Sequence, residues 1–134
     1  MGVSQGLGDR ERDKRMITGK RMIEVKPDDI RKVKGKWHRL TGGRRGAGLL
    51  AIKVEWCKFC KVLEREVHDA MGRRPFTFYH MDGDSIPARW KMRDMGADSF
   101  PSLFLVLPDG TLCPYDRGRK AEKLLMAARL AENG

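Results

Sequence analysis

Residues 49–54 form an apolar run broken only by Lys53, and the chain passes from it directly into Trp56-Cys57-Lys58-Phe59-Cys60, where a helical pattern begins. An apolar run without alternation is what a central strand covered on both faces requires. A buried strand that hands over to a helix at a pair of cysteines restricts the chain to layered α/β architectures. Residues i and i+3 of a first helical turn share a face. The two sulfurs can therefore meet at the Cα separation of about 5.5 Å that an unstrained disulfide prefers. A helix start also offers unpaired N–H groups and a positive dipole end, which can draw a cysteine pKa from about 8.5 toward 7 or below. Cys57 is expected to be the more exposed partner, and its thiolate is the species that attacks disulfides.

A chain of 134 residues fits one domain with a single core and needs no disulfide staples. With only three cysteines, two of them in the CxxC pair, cysteine reads as kept for chemistry in a reducing compartment, and the expected location is cytoplasmic. Residues 1–20 mix Asp9, Glu11 and Asp13 with basic residues and hold no apolar core, so neither a secretory signal nor an acid-poor transit peptide is expected there. No stretch is apolar for the length of a membrane span, so no membrane partner is expected. The net charge of +10 is lopsided: residues 1–46 hold 14 Lys/Arg against 6 Asp/Glu, and the remainder holds 14 against 12.

Residues 1–19 read as a flexible basic tail and residues 20–134 as the folded domain. Met22, Ile23 and Val25 suggest a short first strand before Pro27. Ile30, Val33, Trp37 and Leu40 recur at helical spacing, which predicts a helix capped by Asp28 or Asp29. Gly42, Gly43, Gly46 and Gly48 then make a loop that carries Arg44-Arg45 but lacks the Gly-Lys-Ser/Thr ending of a phosphate-binding loop. After the cysteines, Val62, Leu63, Val67 and Met71 predict a helix to about Gly72, followed by a strand over 76–81 and a helix over 85–95. Residues 102–107 and 111–113 flank Pro108-Asp109-Gly110 as a hairpin, and residues 121–131 close the chain as a helix. The predicted order is β-α-β-α-β-α-β-β-α.

With these landmarks in place the sequence resembles the thioredoxin superfamily from about Arg21 onward. Trp56-Cys57-Lys58-Phe59-Cys60 follows a core strand; Phe100-Pro101, within Gly-Ala-Asp-Ser-Phe-Pro-Ser, precedes an apolar strand like that family's cis-proline loop. Gly118, eight residues after Gly110, is similar to its glycine before the last helix. The run from Trp56 to Val67 looks closest to the branch with the C-terminal domains of DsbD-type reductases. The resemblance implies an α/β thioredoxin fold with a central mixed sheet of about five strands flanked by about four helices. It implies a thiol–disulfide oxidoreductase with Cys57 as nucleophile and Cys60 as resolving cysteine, acting on protein disulfides without a bound cofactor. Trp56, Phe100 and Pro101 would contact substrate, with Phe100 offering its backbone. An unidentified reductase or oxidase would recycle a monomeric protein.

Three departures from ordinary thioredoxins mark the site. Lys58-Phe59 stands where thioredoxins carry Gly-Pro, and Lys58 adds positive charge beside the thiolate, pushing the potential toward the oxidising side. Ala51 stands where thioredoxins bury an acidic group that helps deprotonate the resolving cysteine. Lys53 and Glu55 share its side of the strand, so Lys53 is read as redox-tuning, together with Lys58 and Phe59, against a lysine that snorkels at the sheet edge. Cys113 reads as a small hydrophobe. Zinc needs about four ligands, and only Cys113, His38, His68 and His80 remain beyond the pair, so no metal site is expected. The competing reading is a non-catalytic scaffold whose basic N-terminal arm contacts nucleic acid or another polyanion.

Overall fold

A computed structural model of the chain describes residues 21–39 and 46–134. The expected tail over 1–19 and the arginine pair of the glycine loop lie outside the described residues.

The apolar run becomes β4 (Gly48–Lys53), the middle strand of a five-stranded sheet. It pairs in parallel with β5 (Thr77–Asp82) and antiparallel with β6 (Ser102–Val106). Outside these lie β1 (Arg21–Glu24), parallel to β5, and β7 (Leu112–Tyr115), antiparallel to β6, giving the order β1-β5-β4-β6-β7. Pro114 is tolerated because β7 is the edge strand of the described sheet. Gly48 is required by close approach: a Cβ there would stand 2.1 Å from the Thr77 carbonyl oxygen of the paired strand.

Alternate residues of β4 face opposite layers, and each layer is covered. Leu49 and Ala51 pack with Leu63 and Val67 of α1 (Lys58–Arg73) and Leu124 and Ala128 of α3 (Ala121–Asn133). Leu50 and Ile52 pack with Tyr79, Met81 and Phe104, and with Ala88 and Met92 of α2 (Ile86–Met95). Burial on both faces explains why the run never alternates, and each fully covered Leu or Ile contributes about 1.5–3 kcal/mol. The helix ends follow capping chemistry. Ser85 Oγ accepts from Ala88 N–H at 3.2 Å at the start of α2, and Gly96, at φ 78°, closes it in the left-handed region.

The helix predicted from Ile30, Val33, Trp37 and Leu40 does not form. A 3₁₀ turn over Pro27–Asp29 leads into a hairpin of β2 (Ile30–Val33) and β3 (Lys36–Arg39). The turn residues Lys34 and Gly35 both have positive φ, 51° and 81°, the two-residue turn whose twist suits antiparallel strands. Gly35 and the β-branched Ile30 and Val33 outweighed a spacing that matched a helix by coincidence. Among the described residues of that expected face only Ile30 is fully buried, and Val33 is 40% exposed; Leu40 lies outside the described residues. The hairpin is tied to the β6–β7 turn by Arg39 N–H donating to the Gly110 carbonyl at 2.9 Å and by a 3.1 Å bond between His38 and Thr111. With that segment in strands, the described residues hold three α-helices rather than about four.

Candidate active site

β4 ends at Lys53, and Val54 accepts the Cys57 N–H at 3.3 Å, which turns the chain into α1. Cys57 is the N-cap of that helix. Its sulfur takes the place of the usual capping oxygen and receives the Cys60 N–H at 3.2 Å. Both thiols are mostly covered, Cys57 at 7% exposure and Cys60 at 1%, so Cys57 is the more accessible of the two. Burial resists charge on Cys57, but hydrogen bonds from the Cys60 thiol, the Cys60 N–H and the Phe59 N–H, with the Arg119 guanidinium, outweigh it and lower its pKa below the ordinary 9.0. Cys60 moves the opposite way. Its burial, its hydrogen bond to Cys57 and the Cys57 charge push its pKa up to about 11, against an opposing Val54 backbone bond and the Lys53 charge. Two adjacent thiols are thereby split into an easily ionised one and a reluctant one.

The far wall of the site is Phe100-Pro101, joined by a cis peptide bond. The Cys57 thiol donates to the Phe100 carbonyl at 3.7 Å, so the proline loop and the helix start meet at the sulfur. Trp56 stands edge-on to the Phe100 ring at 5.8 Å and is 63% exposed. Phe100 is half-buried, and its ring lies over Gly83, where a Cβ would come within 2.4 Å of Cε1. Asp82-Gly83-Asp84 thus makes room for the ring as well as turning the chain, with Asp84 N–H donating to Asp82 Oδ1 at 3.0 Å.

On the other side of Cys60, Lys53 is three-quarters buried and its Nζ donates to Glu64 Oε2 at 2.8 Å. The pair lines a cavity of about 280 Å³ with Glu24, Glu55, His80 and Asp82. Burial and the Lys53 charge lower the His80 pKa, against Glu24 and Glu64. Ala51 is fully enclosed by apolar neighbours, so no ionisable group occupies that position beneath the site.

The structure therefore brings Trp56, Cys57, Cys60, Phe100 and Pro101 together. Lys58 and Phe59 are exposed on the first turn of α1, Phe59 by 62%. Cys113 is half-buried in β7, opposite Leu105 and outside the site. Sequence reasoning missed Arg119 and Glu64. Glu64 was within reach, standing four residues after Cys60 on the same helix face, whereas nothing in the sequence ties Arg119 to a cysteine 62 residues earlier. Among the described residues no group of three or more His, Cys, Asp or Glu is placed to hold a metal, and no helix is long and apolar enough to cross a membrane.

Thioredoxin f from spinach chloroplast, in its long form, superposes with a TM-score of 0.60 at 17% identity, over 98% of this chain and 98% of that one. This chain has the thioredoxin fold. A J-Trx1 fragment of ERdj5 gives the same result, with a TM-score of 0.61 at 14% identity, and human ERp44 in a zinc-bound form gives 0.53 at 18%. These matches cover 84% and 65% of this chain, which spans about half (52%) of the ERdj5 fragment and 27% of ERp44. The likeness at these identities is one of thioredoxin fold, strand order and helix placement. No protein-family model and no curated protein sequence matches the chain.

Proposed function

We propose that the protein is a thiol–disulfide oxidoreductase that exchanges disulfides with protein substrates through Cys57 and Cys60. The observation that carries this reading is the Cys57 sulfur at the N-cap of α1, held at 3.2 Å from the Cys60 N–H and facing the Phe100 carbonyl. The Cys57 thiolate attacks one sulfur of a substrate disulfide, forming a mixed disulfide and expelling the other sulfur as a thiolate, which takes up a proton. Cys60 then gives up its proton and attacks the Cys57 sulfur, releasing the second substrate thiol. Two electrons pass to the substrate, the protein is left with a Cys57–Cys60 disulfide, and an external dithiol resets it.

Trp56, Phe100 and Pro101 form the rim against which the substrate chain lies, with the Phe100 backbone as its partner. The Arg119 charge favours the thiolate, Lys58 is assigned the same direction from its place between the two cysteines, and favouring the reduced form raises the potential. The Lys53–Glu64 pair acts on the resolving step, since Lys53 alone among these cations bears on Cys60. A reducing compartment such as the cytoplasm suits a chain whose cysteines serve chemistry. The test is reduction of insulin with dithiothreitol: wild type accelerates precipitation, and Cys57→Ser and Cys60→Ser do not. Background rates for all three would refute the reading.

A further inference from the structure

α2 carries an outer face that the fold does not use. Its inner face buries only Ala88 and Met92, while Ile86, Arg89, Trp90 and Arg93, spaced i, i+3, i+4 and i+7, line one outward stripe. Ile86 is 74% exposed and Trp90 62%, and the two stand one turn apart on the same face, so they form a contiguous apolar patch. The stripe runs into the site: the Arg93 guanidinium lies 5.4 Å from the Trp90 ring, and that of Arg89 lies 5.8 Å from the Phe100 ring. Phe100 in turn meets both Trp56 and the Cys57 sulfur. Arg89, Met92, Arg93, Ala97, Asp98 and Phe100 line a shallow cavity of about 400 Å³ beside the proline loop, two arginines against one aspartate.

We infer that this face is the docking surface for the substrate polypeptide, and that it selects substrates with acidic and bulky apolar residues flanking the attacked cysteine. The inference rests on the oxidoreductase reading and names its substrate class. Arginine and tryptophan together are the side chains most enriched where proteins bind one another. Charge decides the occupant. Arg89 shares only the half-exposed Asp84 at 3.1 Å, and Arg93 has no carboxylate partner among the described residues. A carboxylate from the substrate completes both, while the indole and Ile86 take an apolar side chain. A second copy of this chain is the competing occupant, and the oligomeric state of the protein separates it from a substrate.

The test uses the full chain and two disulfide-linked peptides that differ only in carrying Glu or Lys beside the cysteine, with bis(2-hydroxyethyl) disulfide as an uncharged small substrate. At low salt kcat/KM for the acidic peptide should exceed that for the basic one by about fivefold, and the ratio should fall toward one in about 0.5 M salt. Arg93→Glu should abolish or invert the preference, and Trp90→Ala should raise KM for both peptides. Equal kcat/KM for the two peptides, or a preference indifferent to Arg93→Glu, overturns the inference while leaving the enzyme reading intact. A protein that sediments as a dimer and becomes a monomer with Trp90→Ala assigns the face to a second copy and overturns it as well. Failure to turn over any of the three substrates refutes the oxidoreductase reading itself and takes this inference with it.

Discussion

Removing the Cys60 side chain should raise the pKa of Cys57, although Cys60 is not itself the nucleophile. Burial holds the Cys57 charge back, and of the groups that overcome it the Cys60 thiol comes first, ahead of two backbone N–H groups and Arg119. A hydrogen bond to a charged acceptor contributes about 1.5–3 kcal/mol, and a thiol, as a weak donor, falls at the low end. Converted at 1.36 kcal/mol per unit, Cys60→Ala should move the Cys57 ionisation upward by about one unit. Cys60→Ser keeps a donor at the same place and should hold the midpoint within about half a unit of wild type. The assay is the pH dependence of alkylation by iodoacetamide, followed by mass at Cys57. The sign is fixed by geometry: the wild-type midpoint lies below 9.0, and Cys60→Ala moves it up. A midpoint that stays put or falls in Cys60→Ala would refute the idea that the Cys60 thiol stabilises the thiolate.

The Lys53→Met variant should release the second substrate thiol a few-fold more slowly in single-turnover experiments, because Lys53 lowers the Cys60 pKa; an unchanged release rate would contradict a role for Lys53. Because Cys60 is raised in the folded protein, its contribution to stability is fully present below the unfolded pKa of 9.0 and is lost as pH climbs through about 11. Urea unfolding of the reduced protein should accordingly weaken more over that window than unfolding of Cys60→Ala, and parallel curves would argue against the shift. Gly35→Ala forces a Cβ into φ 81° and should lower stability by about 1 kcal/mol, read as a lower urea midpoint at unchanged slope.

How far the sequence reaches depends on whether an element's signal is local. The strand over 48–53 and the helix after Cys57 were legible because the former has no alternation and is short, and the latter repeats at 3.6 over about four turns without a break. The cysteine pair and Phe100-Pro101 were legible as separate motifs, and the resemblance supplied their meeting, which the structure shows as a 3.7 Å contact. The β2–β3 hairpin was misread because Ile30, Val33, Trp37 and Leu40 satisfy a helical spacing, while the deciding feature was the left-handed turn at Lys34-Gly35. Lys53 was legible as the one charge in the apolar run, while its partner Glu64, at 2.8 Å, lies on the following helix. Arg119 and the stripe on α2 were not legible. Long-range electrostatics leave no local pattern, and the i, i+3, i+4 spacing of Ile86, Arg89 and Trp90 does not tell whether a helix face turns inward or outward.

The most direct test of the account is to trap the mixed disulfide. Cys60→Ser removes the resolving sulfur and leaves Cys57 able to attack, so on mixing with a disulfide-bonded protein substrate it should accumulate an adduct that dithiothreitol releases and that peptide mapping places at Cys57. Cys57→Ser should accumulate none. An adduct at Cys60, or no adduct with Cys60→Ser, would contradict the assignment of Cys57 as nucleophile and Cys60 as the sulfur that resolves it.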